Sequence, residues 1–135
     1  LDARLPPAML AEQESRIREG HCHALPESQI RPMTRIQIAR DVAMAQTLTE
    51  AANHGRTVLL VAGNGHVQRG LGVPRHLPAG FESKVLSVQA RQAQAAMNTE
   101  ASDTPRRAGA DLVWSTPALP PRDHCAAFRP AAAPR

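Results

Sequence analysis

The segment Gly63-Asn64-Gly65-His66 is the part of this 135-residue chain best suited to chemistry. It follows directly on Thr57–Ala62, a short β-branched and aliphatic run that reads as a buried strand. Ligands in open α/β sheets bind at the carboxyl ends of strands. Two glycines let the backbone turn sharply and a ligand come close. A histidine at such a turn suits metal ligation or acid–base work, because its ordinary pKa is about 6.5. The same four residues also fit a tight turn with an exposed histidine, and spacing alone does not separate the two. A second candidate is the helix face carrying Gln37, Arg40, Asp41 and Met44. Gln37, Asp41, Met44 and Leu48 fall on one stripe, so a carboxylate stands in line with apolar residues. Buried, it needs a partner. Arg40 is adjacent but points about 100° away on a helix. Asp41 is thus either a site residue or half of a salt bridge tying helix to strand.

Two cysteine blocks lie near opposite ends, His21-Cys22-His23 and His124-Cys125. Cysteine with histidine invites a zinc reading. The spacing argues against it: there is no CxxC, and sequence neighbours seldom reach one ion. A disulfide between Cys22 and Cys125 is simpler if the protein works outside the cytoplasm. Two unpaired structural cysteines would fit a cytosolic one. Arg69, Arg75 and His76, downstream of His66, could grip carboxylates of a ligand. Each also fits a solvated basic loop.

The elements that must position these groups follow from punctuation and periodicity. Pro6-Pro7 before an Ala- and Glu-rich run opens a helix over about 7–19, stopped by Gly20. A longer helix starts near Pro26 or Pro32 and runs to about Ala52, with Asn53-His54-Gly55 as its stop. Ile38, Val42 and Ala45 form its apolar stripe. After the Thr57–Ala62 strand, the Gly- and Pro-rich stretch 67–80 predicts a loop with one helical turn near Val73–Leu77. Lys84–Gln89 and Asp111–Ser115 read as two further strands, with a loose or weakly helical 90–101 before the second. The pattern is α/β: long helices on a small, mostly parallel sheet. Three strands are few for a covered sheet: either the sheet is small or its other strands lie in a missing part of the chain. The expected division is a domain over 1–125 and a disordered tail over 126–135.

Composition narrows the function. Sixteen basic against twelve acidic residues give a net charge of +4, dispersed rather than clustered. All the basic residues but Lys84 are arginine. Aromatics are only Trp114, Phe81 and Phe128. Stacking on bases is therefore nearly unavailable, and a nucleic-acid partner is not expected. No apolar run approaches the roughly 20 residues of a membrane span. Leu1-Asp2-Ala3-Arg4 has neither an initiator Met nor an apolar leader, which reads as a mature product, an excised domain or a fragment.

Taken in order, several blocks resemble the ChaN family, the haem-binding uptake proteins of the Tiki superfamily. They are Gln37-x-x-Arg40-Asp41-x-x-Met44-Ala45, then Ala62-Gly63-Asn64-Gly65-His66-Val67-x-Arg69, then Gly72-Val73-Pro74-x-x-Leu77. His21-Cys22 with Leu25-Pro26, and Val113-Trp114-x-Thr116-Pro117 with Asp123-x-Cys125, extend the likeness over about residues 20–125. It covers the family's C-terminal half. A first strand ending in a Gly-Glu-x-His motif, and an export signal often of the lipoprotein type, would precede it.

The resemblance implies an EreA/ChaN-like fold and a haem or iron protein of the bacterial cell envelope, periplasm or outer membrane, acting in haem-iron uptake. It implies His66 as the iron ligand, with Gly63, Asn64, Gly65, Arg69, Arg40, Asp41 and Gln37 around the cofactor. It implies a homodimer around haem, and membrane contact only through an N-terminal lipid anchor that these residues do not contain. The recurrence of both cysteine blocks supports a Cys22–Cys125 disulfide in an exported protein. There is no tyrosine, so any axial ligand must be His66, His76 or Met44. Gly70 stands where the family has an acidic residue. Binding without turnover is the main expectation. The alternatives are a metal-dependent hydrolase like other branches of the superfamily, using a metal-activated water, and an inactive half-domain.

Overall fold

A computed structural model describes residues 5–53, 55–90, 109–120 and 122–128. Helix α1 spans Pro7–Gly20, with Pro6 as N-cap and Pro7 in the first turn. Proline there loses nothing, since the first amides of a helix have no partner. The chain then reverses through His21-Cys22-His23. Cys22 and His23 are both left-handed, with φ of 57° and 55°. Their amides bond back to the Glu19 and Arg18 carbonyls at 2.9 and 2.8 Å. The His21 ring closes the helix end by donating from Nδ1 to the Ile17 carbonyl at 2.7 Å.

Helix α2 spans Glu27–Ala51 and carries Pro32 inside it. The helix begins at the earlier of the two expected starts because its buried stripe begins at Ile30. That stripe runs Ile30, Thr34, Ile38, Asp41, Ala45. It lies between the two stripes drawn from the sequence, taking Ile38 and Ala45 from one and Asp41 from the other. Burial along this line outweighs the backbone bond that Pro32 removes. Ile17 and Gln13 of α1 are buried, and Arg31 and Arg18 reach Glu14 at 3.6 and 4.0 Å. Arg18 also pairs with Glu27 across the helix junction and holds that carboxyl below its ordinary pKa.

Thr57–Ala62 departs from expectation. It forms no regular element and pairs with no strand among the described residues. Leu59 and Val61 are 85% and 86% exposed. Its residues favour an extended backbone, but a ladder also needs a neighbour's amides and carbonyls at bonding distance. The sheet therefore has two described strands, not three. These are β1, Leu86–Ala90, and β2, Leu112–Thr116, parallel and in register from Leu86 opposite Leu112 to Ala90 opposite Thr116. A parallel pair requires a crossover connection; residues 91–108, which separate the two strands in sequence, lie outside the described residues, and with them the loose segment expected over 90–101 past Ala90. Val85 and Ser87 face the core, whereas Leu86, Val88, Leu112 and Trp114 remain exposed on the outer face.

Between the segment and the sheet lie a four-residue helix α3, Asn64–Val67, and a 3-10 turn, Val73–His76. Leu71 and Val73 are buried there, and the turn packs on α2. Near the end of the chain, Ala126–Phe128 form another 3-10 turn; of the expected tail, 129–135 lies outside the described residues. Cys22 and Cys125 form a disulfide across a sequence separation of 103. No helix among the described residues is long and apolar enough to cross a membrane.

Candidate functional site

Asp41 and His66 meet. The buried stripe of α2 brings Asp41 inward, where it is fully shielded from water. Gly63 caps α3, whose single turn is closed by the His66 amide on the Gly63 carbonyl at 2.9 Å. That turn swings the His66 ring against α2. Its Nδ1 lies 2.5 Å from Asp41 Oδ1 and 2.9 Å from the Gln37 side-chain amide. Gln37 and Asp41 are one helical turn apart, so both can reach one ring.

The proton positions follow from chemistry. A carboxylate can only accept. The proton between them therefore sits on Nδ1, and His66 donates to Asp41. Gln37 Nε2 stands 2.9 Å from the same ring nitrogen, so accepting that proton requires the amide to turn over and present its oxygen. This tautomer leaves the lone pair on Nε2, for which no partner exists among the described residues. Burial pushes the Asp41 pKa up, and the hydrogen bond and charge of His66 pull it back. Asp41 Oδ2 is buried with no partner among the described residues.

A close backbone approach holds this geometry. A Cβ on Gly72 would stand 2.1 Å from the His66 carbonyl oxygen. Only glycine lets the loop before the 3-10 turn press against the helix that carries His66. Gly63 and Gly65 are different. Neither has positive φ, and nothing lies within 4 Å of where their Cβ would be. The turn does not demand them; they leave open space beside His66.

The other expected site residues lie elsewhere. Asn64 turns away from His66 and accepts from Ser87 Oγ at 3.3 Å, which in turn accepts from Gln89 at 2.9 Å. Arg69 donates to the Ser83 carbonyl at 2.6 Å and to Asp111 at 2.5 Å. It is a tie between loop and sheet. Arg69 and the Val85 amide together hold the Asp111 carboxyl below its ordinary pKa. Arg40 is exposed on α2, and Arg75 is exposed on the 3-10 turn. The sequence reading missed Asp111, whose partner is 42 positions away and which no local motif marks. It also missed a cavity of about 510 Å³ walled by Met9, Arg16, Asn64, Gln68 and Ser87, among others.

The Nε2 of His66 is therefore one place where the described groups can hold a metal-bearing ligand. The family model described as haem-binding uptake, Tiki superfamily, ChaN matches residues 2–77. The match includes α1, α2, the His66 turn and Gly72, and ends before β1, so it is shorter at its far end than the likeness drawn from the motifs. No curated protein and no solved structure matches the chain. With more than half of the chain matched, and with Asp41, His66 and Gly72 inside the match, the chain belongs to the ChaN family of haem-binding uptake proteins in the Tiki superfamily.

Proposed function

We propose that this chain binds haem in the bacterial cell envelope, during uptake of haem iron, with His66 Nε2 as the iron ligand. The observation that carries this reading is the Asp41–His66 hydrogen bond of 2.5 Å. Metal-ligating histidines almost always donate their other ring N–H to a carboxylate or carbonyl, which fixes the tautomer and raises ligand basicity. Asp41 and Gln37 supply that support from a rigid helix. Open space over Gly63 and Gly65 leaves room for the macrocycle to approach. Arg40, exposed and in no ion pair among the described residues, is the nearest candidate in sequence for a propionate. Arg69 is committed to Asp111 and is set aside for that role.

Two further parts of the reading have separate support. A disulfide persists in oxidising compartments, which favours the envelope. The exposed apolar residues Leu86, Val88, Leu112 and Trp114 favour a second copy of the chain around the haem.

A haemin titration followed at the Soret band tests the proposal. Saturable binding is expected for the native chain, and its loss in His66→Ala. Asp41→Asn should keep the fold and weaken binding by about 10–100-fold, the range for lost support behind a metal ligand. Equal binding by native protein and His66→Ala would sink the assignment.

A further inference from the structure

The disulfide has a neighbour. The His124 ring nitrogen and the sulfurs of Cys22 and Cys125 all lie within 4.8 Å of one another. The sequence argues against a shared ion here, because His124 and Cys125 are adjacent. The structure removes that objection: both reach the same point, with Cys22 arriving from the α1–α2 junction. The place is open to solutes, since His124 is exposed and both cysteines are half-buried. It is also built. The His21–Ile17 bond and the back-turned amides of Cys22 and His23 fix one side. The Cys125 amide donates to Asp123 Oδ1 at 3.0 Å on the other.

We propose that the reduced chain holds a zinc ion at Cys22, His124 and Cys125, a site separate from His66. Two thiolates and one imidazole are a zinc donor set, with water in the fourth position. The disulfide form cannot bind, because both sulfurs are spent on each other. A dithiol reductant opens the site. It gives two electrons and two protons, the S–S bond breaks, and the reductant leaves as its own disulfide. Zinc then takes the two sulfurs as thiolates and the His124 lone pair, and two protons go to solvent. No change in zinc oxidation state is involved. The ion takes over the bond's mechanical role, tying the α1–α2 junction to the segment that carries His124 and Cys125.

Cobalt reports such a site through its thiolate charge-transfer band. The full chain would be reduced, freed of reductant without air, and titrated with Co²⁺, with far-UV circular dichroism recorded alongside. A band saturating at one ion per chain is expected after reduction only, with Zn²⁺ displacing it. His124→Ala should lower affinity at least about tenfold, and Cys22→Ser should abolish the band. Three results would overturn the proposal: no band from a reduced, helical chain; a band of equal affinity in His124→Ala; or loss of the helices on reduction with no recovery on adding metal.

Discussion

His66 is placed from two sides. Asp41 and Gln37 fix its ring, and Gly72 fixes its backbone. The second constraint is the easier to break. Gly72→Ala puts a methyl group 2.1 Å from the His66 carbonyl oxygen, and neither backbone can yield cheaply. A loss of about 1–3 kcal/mol is expected, the usual cost of overpacking. Urea unfolding midpoints measure it. Haem affinity should fall in the same variant, because the ring moves with its backbone. A variant with unchanged stability and affinity would show that the loop does not press on the site. Gly63→Ala is the control, since its Cβ would meet open space. The sequence marked all three glycines alike, as parts of motifs. Which one is sterically compelled is a matter of what lies beside it in space.

The elements around the site are joined by one ion pair that carries a pH signature. Asp111 stands at the entrance of β2, accepts from Arg69 and the Val85 amide, and has a depressed pKa. Its contribution to stability is complete above the unfolded carboxyl value near 4. It is lost as pH falls through the lower folded value. Thermal melts between pH 7 and pH 2.5 should therefore fall on the acid side, and Asp111→Asn should flatten that limb. An acid limb of the same slope in the variant would assign it to other carboxylates. The helices were legible because prolines, glycine and apolar spacing mark them locally. The Thr57–Ala62 strand was misread for the opposite reason. Its residues favour an extended backbone, but pairing depends on a neighbour that no local pattern contains.

At the scale of the whole molecule, the disulfide and the exposed apolar sheet face each carry a test, one of stability and one of association. Closing a loop of 103 residues is worth about 4–5 kcal/mol in the chain-entropy account. Urea melts with and without a phosphine reductant, in chelator, should differ by a large part of that. Coincident melts would mean that the far ends of the chain hold together without the bond. The outer face of β1 and β2 exposes Leu86, Val88, Leu112 and Trp114 in register. Monomers rarely leave such a face open. Sedimentation should show concentration-dependent association of the native chain, removed by Leu112→Lys with Trp114→Lys. A monodisperse monomer at high concentration would count against a docking role for this face.

The sequence by itself determined the two helices, the α/β class, the turn that carries His66 and the family to which its motifs belong. These depend on local spacing, capping residues and short-range sterics. Only the tertiary structure decided that Asp41 holds the His66 ring, that Arg69 belongs to Asp111, and that His124 reaches Cys22. Those pairs are 25, 42 and about 100 positions apart. Contacts at such range depend on how helices and sheet pack, and packing is a property of the folded chain as a whole.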